Sequence, residues 1–388
     1  MVHSETPVKL PVLALSLARF VTQPMTIISG LLLIDIATSY DISVGVAGQI
    51  RTFAAASEMI FALVIGALAM RFNHKRLLLA GLSLIALSSI GSTFSPNLLV
   101  LTILYSLTGI GVSIISPMTL TMVGDFFTEE RRANIVGLMV AILAASYTIG
   151  APIISRLSAD GNWKTSMRFY VFPLACLAFI AILAFIRDEN QNVTSSDGYF
   201  SGYRVILSTR SAIACVVGAA LYMAAQVIPL SYGSSYIREA LGASTSIAAV
   251  AVITNSFAYI LGSLAAGKII LKLGERKTAL VSVLGMSVLY FIAYSLTSLV
   301  VVLMFLVFGY FLGGVMYSTA NNLAVGQVSS HRATMMSLFI SIIALGNVIG
   351  NSVGGLALDT FGYMSLRFVL VFFGVGCAIV YSYFVQTS

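Results

Sequence analysis

The sequence predicts an all-α membrane protein with twelve transmembrane helices in two pseudo-symmetric six-helix bundles. Three observations support this fold class: the composition, the number of long apolar runs and an internal repeat. The 388 residues are 59% hydrophobic and only 9% charged, whereas an ordinary soluble domain contains about 25% charged residues. A water-soluble fold cannot hide that much apolar surface, so the chain requires a bilayer.

Twelve apolar runs approach the length of about 20 residues that crosses a bilayer core of roughly 30 Å. We number them spans 1 to 12. In the first half they cover residues 10–38, 45–69, 77–94, 98–123, 135–157 and 167–186. In the second half they cover 212–236, 245–267, 278–297, 299–322, 334–358 and 366–385.

Matching residues recur at a nearly constant spacing, which indicates two tandem copies of one unit. Gly66 and Arg71 recur 201 residues later as Gly267 and Lys272. Further pairs lie 200 residues apart: Gly109 with Gly309, Arg132 with Arg332, Leu138 with Leu338, and Gly150 with Gly350. We therefore expect an N-terminal bundle at 1–186, a cytoplasmic linker at 187–211 and a C-terminal bundle at 212–388.

The basic residues predict the orientation. With the N-terminus inside, the inner segments hold fourteen of the 21 Lys and Arg residues: Lys9, Arg71, Lys75, Arg76, Arg131, Arg132, Arg187, Arg204, Arg210, Lys268, Lys272, Arg276, Lys277 and Arg332. This bias matches the positive-inside rule and predicts a cell-membrane protein with both termini cytoplasmic. Because these charges are spread over short segments, the net charge of +7 does not indicate nucleic-acid binding.

The sequence does not indicate an enzyme, a metal site or a cofactor. The three cysteines, Cys176, Cys215 and Cys377, all fall inside apolar spans, and no CxxC or HExxH motif occurs. The histidines lie outside the spans, and no paired acids lie within them. These patterns also make disulfides unexpected.

Several short motifs support a family resemblance. They are the basic turn between spans 2 and 3, Gly109-Ile-Gly111 in span 4, and Gly150-Ala-Pro152 in span 5 followed by Asn162-Trp163-Lys164. With the twelve spans in two copies, the chain resembles the major facilitator superfamily, and within it most closely the drug:proton antiporter and sugar-efflux branch. This resemblance implies secondary transport by alternating access, with two six-span halves rocking around a midplane site.

Three positions depart from the pattern of that branch. Met70 stands where the turn after span 2 usually has Asp, and Tyr105 stands where the span 4 motif usually begins with Arg. Ser155 replaces a glycine of the usual span 5 motif. The favoured function is proton-coupled efflux of a small organic solute, with protons as the possible coupling ion. The alternative is uptake or exchange of an organic anion without proton antiport.

One acidic residue, Glu58, lies deep in a span. At 1.5 Å per residue, Glu58 in span 2 and Arg19 in span 1 reach overlapping depths, so the two can pair. Arg51 lies two turns from Glu58 on the same helix face and can compete for the carboxylate. One hypothesis makes Glu58 the protonation or substrate-cation site, tuned by Arg19 or Arg51. The other is a structural ion pair between the two spans.

Two stripes of residues at helical spacing favour cavity-lining, bendable helices over the alternative, which is plain packing between helices. They are Arg19, Gln23, Thr26 and Gly30 in span 1, and Tyr222, Gln226, Pro229 and Gly233 in span 7. Further candidates for substrate contact are Asn255, Tyr317 and Asn347. The series Gly346, Gly350 and Gly354 in span 11 instead predicts a close-packing ridge.

The family resemblance implies that the basic turns form a cytoplasmic gate, in which the inner helix ends hold the halves together. Its candidate residues are Gly66, Arg71, Arg76, Asp125 and Lys272. The alternative is that these charges serve only to orient the chain. The expected partners are a small-molecule substrate and the lipid bilayer, and we expect a monomer.

Overall fold

The computed structural model describes residues 9–69, 72–126, 129–186, 201–327 and 332–385, and the regular secondary structure in these ranges is helical. Span 1 is divided into Lys9–Val21, Pro24–Leu31 and Leu33–Ser39. Spans 2 to 5 are the single helices Val44–Ala69, His74–Thr93, Leu98–Phe126 and Glu129–Leu157. Span 6 consists of Trp163–Ser166, a π-helical turn at Met167–Val171, and Phe172–Phe185.

The second half repeats this order. A short helix, Ser201–Ser208, precedes it within the predicted linker, while residues 187–200 lie outside the described ranges. Span 7 is Arg210–Ser235 with a π-helical turn at Tyr236–Ala240. Spans 8 to 11 are Thr245–Leu273, Glu275–Ala293, Leu299–Gln327 and Arg332–Phe361, and span 12 is Leu366–Tyr383 after a 3₁₀ turn at Tyr363–Ser365.

Eleven of the described helical segments are long and apolar enough to cross a bilayer. The remaining predicted span, 135–157, lies within the 29-residue helix Glu129–Leu157. At 1.5 Å per residue, a helix of this length extends roughly 40 Å, which exceeds the thickness of a bilayer core. The predicted all-α membrane fold class is therefore confirmed.

Span 1 is interrupted at Thr22 and Gln23, just before Pro24. A proline has no N–H to donate to the carbonyl four residues earlier, which here belongs to Phe20. Ser146 of span 5 donates its hydroxyl to that carbonyl at 3.0 Å, and the Thr22 hydroxyl bonds the Arg19 carbonyl at 2.7 Å. The break therefore has hydrogen-bond partners inside the protein, as a broken membrane helix requires.

The chain forms two compact units whose borders fall inside spans 1 and 2. The first unit contains Met1–Ile28 and Ser57–Thr194, and the second contains Ser29–Ala56 and Ser195–Ser388. The outer ends of spans 1 and 2 therefore belong to the same unit as spans 7 to 12, where outer means the side opposite the predicted cytoplasmic face. The sequence repeat did not indicate this assignment.

In the first unit, spans 3 and 4 approach closely at two glycines. A Cβ on Gly111 would lie 2.8 Å from the Gly81 carbonyl oxygen, and a Cβ on Gly81 would lie 3.2 Å from that of Gly111. Ser88 and Thr108 share a hydrogen bond of 2.7 Å between the same two helices. The glycine motif of span 4 thus serves close helix packing.

In the second unit, glycines bring spans 7 and 11 together and likewise spans 8 and 10. A Cβ on Gly346 or Gly350 would clash with a carbonyl oxygen of span 7. Between spans 8 and 10, a Cβ on Gly262 would clash with the Phe311 carbonyl, and one on Gly314 with the Tyr259 carbonyl. The predicted close-packing ridge of span 11 is confirmed for Gly346 and Gly350.

The third helices of the four triplets differ from one another in exposure. The sequence predicts that spans 3, 6, 9 and 12 face lipid because their interiors lack charged residues, Asn and Gln. The most apolar stretch of span 6 is 28% buried and that of span 12 is 33% buried, like those of spans 2 and 8, whereas those of spans 9 and 3 are 44% and 50% buried. A polar-free interior therefore identifies spans 6 and 12 as highly exposed helices but does not do so for spans 3 and 9.

Candidate functional site

Polar side chains inside the spans form two groups, one in each unit. In the first unit, Arg19 lies in the last turn of Lys9–Val21 and Glu58 lies in Val44–Ala69. Arg19 is close enough to exert an attractive electrostatic effect on the Glu58 carboxylate. Glu58 remains partly exposed. The two charges whose depths overlap in the sequence therefore lie within electrostatic range of each other.

Gln23 lies beside this pair, at the break in span 1. Its amide Nε2 donates to the Thr22 hydroxyl at 3.0 Å, and that hydroxyl in turn bonds the Arg19 carbonyl. Tyr105 of span 4 donates its hydroxyl to the Met25 carbonyl on the other side of the break, at 2.8 Å. Arg19 and Gln23 therefore lie at the break in span 1. A change in the angle between the two helical segments at this break would displace their side chains.

Arg51 has a different environment. It is only 7% exposed, and its guanidinium lies beside Gly30, where a Cβ would come within 3.2 Å of Nη1. Its charge also acts on Tyr232 of span 7. These neighbours all belong to the second unit. The structure therefore places Arg51 at the packing of spans 1, 2 and 7, two turns from Glu58 along span 2.

The second group of polar residues is uncharged and rich in tyrosine. Tyr222 is fully buried and donates to the Gly313 carbonyl of span 10 at 2.7 Å. Its hydroxyl also shares a 3.3 Å hydrogen bond with Tyr259 of span 8. Tyr259 and Tyr317 face each other with ring centroids 6.1 Å apart. Tyr222 and Tyr317 thus belong to one cluster between spans 7, 8 and 10.

Gln226 joins this cluster from the next turn of span 7. It is 5% exposed, and its Oε1 accepts a hydrogen bond from Tyr290 of span 9 at 3.2 Å. A Cβ on Gly313 would lie 2.5 Å from the same oxygen, so a side chain there would displace the Gln226 amide. We call Tyr222, Gln226, Tyr259, Tyr290 and Tyr317 the tyrosine cluster.

Asn255 lies apart from the tyrosine cluster, at a small cavity between spans 7, 8 and 10. The cavity, of about 20 Å³, is also lined by Pro229, Gly233 and Tyr310. Asn255 is 7% exposed, and among the described residues its Oδ1 has no hydrogen-bond partner. A volume of this size accommodates about one water molecule.

Asn347 is partly exposed on span 11. Its neighbour one turn on, Asn351, has the clearer structural role, because its Oδ1 accepts from Ser231 at 2.5 Å and its carbonyl accepts from Tyr232 at 2.8 Å. Asn351 therefore ties span 11 to span 7. A contact between Asn347 and substrate stays a prediction.

The predicted cytoplasmic gate falls largely outside the described side chains. Arg71 lies outside the described residues. Gly66 and Asp125 lie in described helices, but their side-chain environments fall outside the description. Arg76 and Lys272 are exposed at helix ends. A Cβ on Gly267, the counterpart of Gly66, would meet nothing within 4 Å. The second copy therefore does not require glycine at this position for close packing.

Sequence reasoning missed an ion pair at the outer ends of spans 1 and 7. Arg238 donates to both carboxylate oxygens of Asp35, at 2.6 Å and 3.0 Å. The signal was present, because Asp35 and Arg238 lie 203 residues apart. That offset also relates Gln23 to Gln226 and Gly30 to Gly233.

A helical protein of this hydrophobicity, with two sequence copies and polar groups inside its spans, belongs to the class of polytopic membrane proteins. The family model described as Major Facilitator Superfamily matches residues 15–236 and 214–387. The chain belongs to this family. The family supports secondary active transport of a small solute as its function, and the chain is a multi-pass membrane protein and not an enzyme.

Individual relatives agree with this assignment. The chain is 21% identical over 318 residues to the uncharacterized MFS-type transporter YceJ of Bacillus subtilis (strain 168), covering 81% of each protein. It is 29% identical over 132 residues to the multidrug resistance protein Stp of Mycobacterium tuberculosis (strain CDC 1551 / Oshkosh), covering 34% of this chain and 24% of Stp. The crystal structure of a D-xylose-proton symporter superposes with a TM-score of 0.79 at 15% identity, covering 98% of both chains. At this identity the superposition shows the fold alone.

Proposed function

We propose that the protein exports a small organic solute in exchange for protons by alternating access, and that Glu58 carries the proton. The observation that carries this proposal is a carboxylate deep in span 2, partly exposed and attracted by the charge of Arg19. A group that exchanges protons needs both access to water and a partner that responds to its charge. The partial exposure of Glu58 and its interaction with Arg19 support this role.

The break in span 1 provides a physical link between the protonation of Glu58 and a movement of the helix. An unpaired charge at mid-membrane costs roughly 2.5 to 3.5 kcal/mol, so the charge state of Glu58 depends on where Arg19 lies. Arg19 is in the last turn before the break at Thr22 and Gln23. Bending at this break moves Arg19 relative to span 2 and thereby changes which charge state of Glu58 is favoured. Protonation and helix movement are then linked.

We assign substrate contact to polar side chains that the sequence singles out: Arg19, Gln23, Tyr222, Gln226, Asn255, Tyr317 and Asn347. Their chemistry favours a solute that can accept hydrogen bonds and lie against aromatic rings. The similarity to the multidrug resistance protein Stp, which covers about a third of this chain, supports export as the direction of transport. The positive-inside distribution of Lys and Arg supports cytoplasmic termini.

The test is transport by the purified protein in proteoliposomes. A panel of drugs and metabolites first identifies a solute that the wild type moves under an imposed proton gradient. We then expect Glu58→Gln to reduce gradient-driven transport at least tenfold, a difference of about 1.4 kcal/mol. Exchange of labelled for unlabelled solute without a gradient should persist, because the neutral glutamine mimics the protonated acid.

Asp160→Asn is the matched control, since it makes the same chemical change at an exposed loop residue. This control should transport like the wild type. Undiminished gradient-driven transport by Glu58→Gln, with an unchanged response to pH, would remove Glu58 from the mechanism. Loss of both gradient-driven transport and exchange would instead indicate the structural ion pair.

A second candidate function is the uptake or exchange of an organic anion without proton antiport. The observation that favours it is the presence of two arginines, Arg19 and Arg51, within spans of the described structure, Arg51 being only 7% exposed. In the same proteoliposomes, anion counterflow that an uncoupler leaves unchanged supports this candidate. Solute export that the uncoupler abolishes supports proton exchange.

A further inference from the structure

The outer ends of spans 1 and 7 are joined by the Asp35–Arg238 ion pair. Its geometry is bidentate, with N–O distances of 2.6 Å and 3.0 Å, and the same guanidinium donates to the Leu31 carbonyl at 3.2 Å. The side chains of Arg238 and Asp35 are 14% and 12% exposed. Bidentate, charge-assisted bonds in a partly dry setting rank among the strong polar contacts of proteins.

Asp35 and Arg238 occupy equivalent positions of the two sequence copies. The offset of 203 residues that relates them also relates Gln23 to Gln226. When two like elements pack around an approximate two-fold axis, residues close to the axis meet their own counterparts. Identical charges there would repel, so the opposite signs at these two positions make a direct contact favourable.

Close packing of the backbone accompanies the ion pair. A Cβ on Gly30 would lie 2.9 Å from the Leu230 carbonyl oxygen. A Cβ on Gly45 would clash with the Gly355 carbonyl. Spans 1 and 2 are thus in near-backbone contact with spans 7 and 11 at their outer ends. Such contacts leave no room for a solute to pass between these helix ends.

We propose that Asp35 and Arg238 form an outer gate, an ion pair that holds the outer ends of spans 1 and 7 together and breaks when that side opens. The proposal rests on transport by alternating access, but not on proton exchange or on the identity of the solute. The pair suits this role because opening exposes both charges to water, which compensates for the lost contact. A purely apolar contact would offer no such compensation.

The adjacent residue provides a matched control. Glu239 accepts a hydrogen bond from the Tyr363 hydroxyl at 2.7 Å, on the same π-helical turn as Arg238. This bond joins two elements of the second half of the chain, so it does not hold span 1. Glu239→Gln therefore removes a charge at the same depth without removing the gate.

Spin labels measure the gate without requiring a substrate. After the three native cysteines are replaced by alanine, labels are attached at Thr38→Cys and Ser246→Cys, both exposed at the outer ends of spans 1 and 8. Pulsed electron paramagnetic resonance in proteoliposomes then gives the distance between the two labels. It is measured in this parent, in Asp35→Asn, in Arg238→Gln, in the charge-exchange variant Asp35→Arg with Arg238→Asp, and in Glu239→Gln.

We expect Asp35→Asn and Arg238→Gln each to raise the population of long distances relative to the parent by at least fivefold, the lower end of typical conformational coupling. The exchange variant should return the distribution towards the parent, and Glu239→Gln should leave it unchanged. Parent-like distances in both single variants would overturn the proposal, as would an equal shift in Glu239→Gln or an exchange variant as open as the single ones. A protein that shows the expected distances but moves no solute under a proton gradient would contradict the proposed proton exchange and leave the gate intact.

Discussion

Equivalent positions of spans 1 and 7 carry different chemistry in the two units. Arg19 corresponds to Tyr222, and Gln23 corresponds to Gln226. In the first unit the arginine lies at a broken helix and its charge acts on a carboxylate, whereas in the second the tyrosine is buried in a network of neutral hydrogen bonds. The two copies thus share the same helix arrangement, but only the first copy carries charged side chains at these positions of spans 1 and 7. The difference predicts that substitutions in the first group alter coupling, and that substitutions in the second alter stability and affinity.

The largest expected effect comes from breaking the backbone contact that supports the tyrosine cluster. In Gly314→Leu the new side chain has no space against the Tyr259 carbonyl, so spans 8 and 10 must separate. Overpacking of this kind costs about 1–3 kcal/mol or more. We expect the variant to accumulate poorly in membranes and to unfold at a markedly lower temperature.

Gly267→Ala is the control for Gly314→Leu, because its new Cβ meets nothing within 4 Å. Thermal unfolding of both detergent-purified proteins, followed by the reactivity of the cysteines, checks the prediction. A Gly314→Leu protein as stable as Gly267→Ala would show that spans 8 and 10 need no close approach.

A smaller effect is expected from Tyr222→Phe, which removes the hydroxyl that bonds Gly313. The Gly313 carbonyl keeps a helical environment, so the loss should be about 1 kcal/mol. We expect the midpoint of thermal unfolding to fall by about 2 °C and the KM for a transported solute to rise a few-fold. The dependence of transport on the proton gradient should remain, in contrast to Glu58→Gln.

Tyr222→Phe and Glu58→Gln therefore sharpen the comparison when they are measured together across a pH series. The contrast between the two groups would be wrong if Tyr222→Phe uncoupled transport from the gradient while Glu58→Gln changed only KM.

The smallest effect is expected at the break in span 1. In Ser146→Ala the Phe20 carbonyl loses its hydroxyl donor and keeps a long bond of 3.4 Å from the Gln23 N–H, because Pro24 has no N–H to donate. We expect a destabilisation of about 1 kcal/mol and faster hydrogen exchange at the amides around the break. Hydrogen–deuterium exchange followed by mass spectrometry measures this directly.

Ser83→Ala is the matched control for Ser146→Ala. Ser83 bonds the Leu79 carbonyl four residues earlier in its own uninterrupted helix, where regular helical geometry supplies that carbonyl with a backbone donor. Exchange near residue 83 should not change. Equal effects of both substitutions would mean that Ser146 has no special role at the break.

The part of the candidate site formed by Arg19 and Glu58 could be predicted from the sequence, because the depth of each residue in the membrane follows from its position along its helix. Overlapping depths of Arg19 and Glu58 were predicted by counting residues from the inner helix ends, and in the structure the charge of Arg19 acts on Glu58. The Asp35–Arg238 pair was missed because charged residues are common at helix ends, where water makes them inexpensive. Only the shared offset of 203 residues distinguishes this pair from ordinary end charges.

By itself the sequence determined the helical class, the spans, the repeat and the family resemblance, because transfer of a helix into lipid is a sum over its own residues. The tertiary structure decided which helices touch. It assigned residues 29–56 to the unit of spans 7 to 12, buried Tyr222 and Gln226 in a hydrogen-bonded cluster, and paired Asp35 with Arg238. Such contacts depend on the shapes of two helix surfaces that are distant in the chain. In lipid, close packing and hydrogen bonds select which helices pair, because the hydrophobic effect contributes little there.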